Sequence, residues 1–207
     1  MLIISIKQGK EKSLLERQPW IYASAVERVD GKPLEKMTPG ATALVHSSSG
    51  QFLARAAYNS KSQIRARVWS FDPNEAVDHA MIKRRVKAAV VKRGGSAGPS
   101  VALVVGEEDG LSGLLVQWYG GVKGYLVCEF QAAGVDAWKV PIVQTLIAET
   151  GCSNVYERSE PLIRKGEGLP VLAGVLAGEA PPNEIILTES GVTFSVDIKT
   201  GKKNKYR

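Results

Sequence analysis

From Gln63 to Phe71 the chain reads QIRARVWSF, with two kinds of side chain alternating residue by residue, and at Asp72-Pro73 that period of two ends. A strand sends successive side chains to opposite faces, so Ile64, Ala66 and Val68 share one face while Arg65, Arg67, Trp69 and Phe71 share the other. Helical spacing follows, in Val77, Met81, Ile82, Val86, Ala89 and Val90. Asp72 suits an N-cap, Pro73 the first helical position and Glu75 the third, which predicts a helix over 73–92. Gly94-Gly95-Ser96-Ala97-Gly98-Pro99 is expected to stop it. The switch divides the chain into a β-rich unit over 1–72 and a mixed unit after it.

Within the first unit, Leu2–Ile6 reads as a strand and Lys10–Gln18 as a short helix with Leu14 and Leu15 turned inward, ended by Pro19. Turn residues fill Asp30–Pro39, and Ala41–His46 and Gln51–Ala57 form a hairpin around Ser47–Gly50. In the second unit, Val101–Val105, Leu114–Trp118 and Tyr125–Phe130 read as strands and Asp136–Glu149 as a helix. A short strand at Val155–Tyr156, a charged loop over Glu157–Gly168 and a hairpin from Ile185–Leu187 and Val192–Ile198 complete it. A length of 207 residues accommodates one or two such cores, and 44% hydrophobic residues argue against disorder. No apolar run approaches the roughly 18 residues of a membrane-spanning helix, so a cytoplasmic protein is expected. Cys128 and Cys152 lack CxxC spacing and point to buried, inert thiols rather than a zinc site or a disulfide.

Charge is unevenly placed. Residues 1–72 hold eleven Lys/Arg against six Asp/Glu, residues 73–198 eleven against fifteen, and residues 199–207 five against none. Two basic ends around an acidic middle suit contact with a polyanion at the ends. Lys10, Lys12 and Arg17 crowd the first helix, as a solvated face or as a binding edge. The face that mixes Arg65 and Arg67 with Trp69 and Phe71 has the chemistry of RNA recognition, since guanidinium neutralises phosphate and aromatic planes accept unstacked bases. It equally describes a two-sided core with arginines at its rim. Lys83, Arg84, Arg85 and Lys87 read as a solvated helix face, and Glu107-Glu108-Asp109, with no His nearby, as a solvated acidic turn. There is no GxGxxG and no GxxxxGK[ST].

Taken in order, GKEKSLLERQPWIYASAV, QIRARVWSFDP, GEEDGLSG, YERSEPLIRKGEGL and VDIKTGKK resemble the N-terminal half of the ribosomal RNA large-subunit methyltransferase I family, which are S-adenosylmethionine (SAM)-dependent cytosine-5 RNA methyltransferases. The resemblance implies an α+β chain. A PUA pseudo-barrel that binds RNA would cover 1–72, and a strand-strand-helix-strand-strand (EEHEE) domain with a leading helix would cover 73–195. Residues 196–207 would be a basic tail where the family enters a Rossmann-like domain carrying SAM and the cysteine nucleophile. Asp197, Gly201 and Lys203 match that tail, whereas Asn204 and Lys205 replace a Thr-Gly pair, Ser112 a Pro, and Gln117-Trp118 an Asp-Arg pair.

The resulting expectation is a truncated RNA-binding protein of methyltransferase descent. It would be no enzyme, with no catalytic residue, no metal and no cofactor of its own, SAM belonging to the full-length family. Its partner would be RNA, above all large-subunit ribosomal RNA, and not a membrane. Lys10, Lys12, Arg17, Arg55, Arg65 and Arg67 would meet phosphate, with Trp20, Tyr58 and Trp69 stacking or supporting. Alternatives are the targeting half of a split methyltransferase with a separate catalytic domain, a protein-interaction module using the acidic middle, and a homodimer.

Overall fold

The computed structural model describes residues 1–95 and 98–205; Ser96 and Ala97 of the expected stop, and Tyr206 and Arg207 of the basic tail, lie outside the described residues. The first unit runs β1 (Leu2–Ile6), α1 (Lys12–Leu15), β2 (Trp20–Tyr22), β3 (Val26–Asp30), α2 (Pro33–Met37), β4 (Ala41–His46), β5 (Phe52–Tyr58) and β6 (Ile64–Ser70). Its six strands form one sheet in the order β2-β6-β5-β4-β1-β3, antiparallel except where β1 runs parallel to β4. Leu2, Ile4, Ile6, Ala43, Val45, Ala54, Ala56, Ala66 and Val68, the inward members of alternating strands, fill its core.

The second unit continues with α3 (His79–Arg93), β7 (Ser100–Val105), β8 (Leu114–Tyr119), β9 (Tyr125–Phe130), α4 (Ala133–Ala137), α5 (Lys139–Thr150), β10 (Val155–Arg158), α6 (Pro161–Gly166) and β11 (Ala173–Ala177). These strands make a five-stranded sheet, β11-β10-β9-β8-β7, in which β9 and β10 are parallel because helices carry the chain between them. A third sheet, β12 (Ile185–Glu189), β13 (Val192–Val196) and β14 (Lys203–Lys205), is antiparallel. Leu187, Phe194, Val196 and Ile198 pack it against Val127 and Tyr156 of the central sheet. Cys128 and Cys152 are free and buried. Among the described residues no helix is long and apolar enough to cross a membrane.

The α+β class and the N-terminal β-rich unit agree with expectation, but several details do not. Three strands, not two, precede the central helices, so the EEHEE order is replaced by β7-β8-β9, α4-α5, β10, α6, β11. The helix expected over 73–92 begins at His79, where the Asp78 carboxylate accepts a hydrogen bond from Met81 N at 2.9 Å. Asp72 instead closes a local turn on Asn74 N, and Glu75 is drawn away to Arg84 and Arg85, at 3.0 and 2.7 Å. Helix α1 is a single turn, and only Leu14 is buried; Leu15 is 66% exposed. The expected charged loop over Glu157–Gly168 is the end of β10 followed by α6, with Arg164 fully buried.

The two units share a core. Ala57 and Trp69, from the outer face of β5 and β6, pack with Met81, Ile82, Val86, Val116 and Phe130 of the second unit. Gly134 makes this approach possible, since a Cβ there would stand 2.6 Å from the Ala57 methyl and 3.2 Å from the Trp69 ring. A polar clasp lies beside it, centred on the buried carboxylate of Glu167. It accepts hydrogen bonds from Asn59 Nδ2 at 2.9 Å, Ser62 Oγ at 3.0 Å and Arg67 Nη2 at 3.2 Å.

Candidate nucleic-acid interface

Five of the residues expected to meet RNA are held by the protein itself. Tyr58 and Trp69 are each 5% exposed, Tyr58 inside the first core and Trp69 inside the shared one, so neither ring is open to a base. Arg67 runs to Ser112 Oγ and Glu167, and lies 3.6 Å from Glu107. Arg55 donates to the Pro73 carbonyl at 3.0 Å, tying down the junction after β6, and Arg65 donates to the Ser62 carbonyl at 3.1 Å. The face that combined arginine with aromatic residues is thus the seam between the two units. The open alternative of a two-sided core with arginines at its rim is the one the geometry realises.

The other four, Lys10, Lys12, Arg17 and Trp20, remain exposed in the segment that leads from β1 through α1 into the edge strand β2. Gly9 adopts a positive φ of 84° as the chain leaves β1, and α1 then places Leu14 inward and Lys12 outward. Arg17 also has a positive φ, 65°, and its guanidinium stacks 5.0 Å over the Phe71 ring. Pro19 ends the turn, and β2 pairs with β6 as the sheet edge. Lys12 approaches Glu16 at 4.0 Å, a distance at which an exposed i,i+4 pair does little to hold it. Lys10 and Arg17 make no ion pair among the described residues.

The acidic loop is not a solvated turn. Asp109 accepts from Val105 N and pairs with Arg93 at 2.7 Å, and Glu108 pairs with Arg93 at 2.9 Å. Arg85, expected to be solvated, donates to the Gly110 carbonyl at 2.7 Å beside them. Glu107 Oε1 accepts from Ser112 Oγ at 2.6 Å and from Trp20 Nε1 at 2.8 Å. The second unit therefore orients an aromatic ring of the first. Burial pushes the Glu107 carboxyl up, but the bonds from Ser112 and Trp20 and the charge of Arg67 outweigh it and hold the group below its ordinary 4.5. A carboxyl depressed by folding contributes stability that is complete above its unfolded pKa and is lost as pH falls through its folded one. Acid titration below pH 4.5 should accordingly release Trp20, read as a change in indole fluorescence, and Glu107→Gln should remove that component. An unchanged acid transition in the variant would count against the contact.

Tyr22 was not among the expected residues, although it is 51% exposed two positions after Trp20. The signal was present in the triplet WIY, where one apolar inward residue separates two outward aromatic ones.

Comparison with known proteins accords with this picture. A PUA-like domain family matches residues 4–71. Ribosomal RNA large subunit methyltransferase I of Aliivibrio fischeri is 38% identical over 209 residues, covering 98% of this chain and 50% of that protein. The protein of the same name from Aeromonas salmonicida is 39% identical over 211 residues, covering 99% and 51%. Among solved structures, a candidate methyltransferase complexed with SAH superposes with a TM-score of 0.76 at 13% identity, over 99% of this chain and 50% of its own. A candidate SAM-dependent methyltransferase from Streptococcus mutans gives the same score at 14% identity.

These matches correct the expectation of a non-enzyme that lacks a catalytic domain and has no cofactor of its own. Proteins aligned over 98% of the chain are named as methyltransferases, and a protein sharing the fold was solved with SAH. The chain spans about half the length of the curated relatives it matches. Along nearly all of its own length, it is a relative of ribosomal RNA large subunit methyltransferase I.

Proposed function

We propose that the protein acts in the SAM-dependent methylation of ribosomal RNA and that the edge formed by Lys10, Lys12, Arg17 and Trp20 engages the RNA. The observation that carries this reading is the exposure of three cations and a half-open aromatic ring within one short segment, residues 10–20, of the PUA-like unit, residues 1–72. Residues 73–195 would serve as the platform that sets Trp20 through Glu107, and the basic segment from 196 onward would add to the positive field.

SAM supplies the methyl group in such a reaction. The acidic loop Gly106–Asp109, a carboxylate-rich segment directly after the edge strand β7, offers the hydroxyls of its ribose no free pair of carboxylates, because Arg93 holds Glu108 and Asp109, Val105 N also holds Asp109, and Ser112 and Trp20 occupy one oxygen of Glu107. What this chain's own groups do is bind and orient RNA.

Three cations on single-stranded RNA give an expected log–log salt slope of about −2, from roughly −0.7 per phosphate neutralised. Filter binding of large-subunit ribosomal RNA fragments at several salt concentrations measures it. Lys10→Ala, Lys12→Ala and Arg17→Ala together should remove about 2 from the slope, leaving what the basic segment from 196 onward contributes. Binding that is absent, or that does not respond to salt, would overturn the reading.

A further inference from the structure

Strand β2 places Trp20 and Tyr22 side by side on its outward face, 38% and 51% exposed, with Ile21 between them buried in the first core. In front of them is a hollow of about 370 Å³ lined by Ser13, Gln18, Pro19, Trp20, Tyr22 and Glu107. It is lined by two aromatic rings and a proline ring, and its polar groups include the hydroxyls of Ser13 and Tyr22, a primary amide and a carboxylate. Lys12 and Arg17, both exposed, each stand one residue before a lining residue in the chain, Lys12 before Ser13 and Arg17, whose guanidinium lies over the Phe71 ring, before Gln18.

The Trp20 ring is preset. Its Nε1 donates to Glu107 Oε1 at 2.8 Å, and the Arg67 guanidinium lies 5.4 Å from the ring centroid. A ring already held in place loses little rotamer freedom when a ligand stacks on it. An apolar peptide would use the planes but not the flanking cations. A base in a duplex would satisfy the cations but could not leave its stack. An unpaired nucleobase with a phosphate on either side uses both.

Building on the RNA-engaging edge argued above, we propose that this hollow is a subsite for one unstacked base of single-stranded RNA, seated on the Trp20 and Tyr22 rings with its flanking phosphates at Lys12 and Arg17. Glu107 Oε2 accepts no hydrogen bond among the described residues, and a carboxylate accepts from the amino groups of adenine, cytosine or guanine. Uracil presents its N–H between two carbonyl oxygens that a carboxylate repels. The subsite therefore discriminates against uracil.

The test is fluorescence anisotropy of the full chain with labelled 12-nucleotide oligo(A), oligo(C) and oligo(U) and with a duplex of equal length. Base–aromatic stacking is worth roughly 1–3 kcal/mol by alanine substitution, so Tyr22→Ala should weaken oligo(A) binding about tenfold. Its salt slope and its duplex binding should stay at wild-type values, and Tyr22→Phe should restore affinity. Lys12→Ala should instead reduce the slope by about 0.7 on every strand. Glu107→Gln should narrow the gap between oligo(A) and oligo(U). If Tyr22→Ala binds oligo(A) as wild type does while Lys12→Ala weakens it, the base subsite is wrong and the RNA edge stands. If the wild-type chain binds no oligonucleotide, both fall.

Discussion

Glu167→Ala is expected to destabilise the protein by about 3–5 kcal/mol, the range for removing one partner from a buried, charged cluster. The Glu167 side chain is 8% exposed and the Arg67 side chain 14%, so water compensates little for what is lost. The substitution would leave Ser62 Oγ without its acceptor, Asn59 Nδ2 with only the Glu167 carbonyl, and the Arg67 guanidinium dependent on Glu107 at 3.6 Å and Ser112. Asn59, Ser62 and Arg67 belong to the first unit and Glu167 to the second, so the loss falls on the seam that joins them. Urea denaturation followed by far-ultraviolet circular dichroism measures it. Glu167→Gln can keep an acceptor for Ser62 and Arg67, which share one oxygen, while its NH2 replaces the oxygen that faces Asn59, and it should cost less, about 1–3 kcal/mol, chiefly the charge on the bond to Arg67. Two alanine and glutamine variants of equal stability, or an alanine variant within 1 kcal/mol of wild type, would show that the clasp does not hold the units together.

The seam also marks where sequence reading succeeds and where it stops. Alternation in QIRARVWSF identified β6 and separated Ala66 and Val68 from Trp69, because the period of two is a local property of the backbone, whereas Phe71, beyond the strand, packs against the first core instead of beside Trp69. It could not say what each face meets. Trp69 and Arg67 have the composition of an RNA-binding face, and only the return of α4, with Gly134 against Ala57 and Trp69, turns that face into an interior.

The acidic loop failed for the same reason. Three consecutive acids without histidine look solvated, yet Arg93 and Trp20 reach them from distant parts of the chain. The start of α3 was misplaced between two local signals, Asp72-Pro73 with Glu75 and the isolated Asp78. The side chains of Arg84 and Arg85, on the helix itself, decided between them by drawing Glu75 away. Lys10, Lys12, Arg17 and Trp20 were legible because their exposure follows from a short amphipathic turn and an edge strand, and nothing distant intervenes except to orient Trp20.

Arg164→Leu is expected to cost about 3–5 kcal/mol as well, for a residue that reads in the sequence as part of a charged surface loop. Arg164 is completely buried. Its Nη1 donates to the Phe130 carbonyl at 2.8 Å and to Asp136 Oδ1 at 2.7 Å, and its Nε donates to the Pro170 carbonyl at 2.6 Å. One planar fork thus ties the end of β9, the helix α4 and the chain beyond α6. Leucine would fill much of the volume but leave the buried Phe130 carbonyl and the part-buried Pro170 carbonyl without this donor. Asp136 would then rely on Lys139, which lies 3.1 Å away and is shared with Glu157 at 2.8 Å. Arg164→Lys should recover little, since an ammonium at the end of a flexible stem cannot reach three acceptors set for a guanidinium. Adding Asp136→Leu to Arg164→Leu should regain part of the loss, because an unpaired carboxylate is then no longer left behind. A double variant no more stable than Arg164→Leu would place the cost in the orphaned carbonyls of Phe130 and Pro170 alone. A single variant within 1 kcal/mol of wild type would mean that the fork does not organise this end of the central sheet.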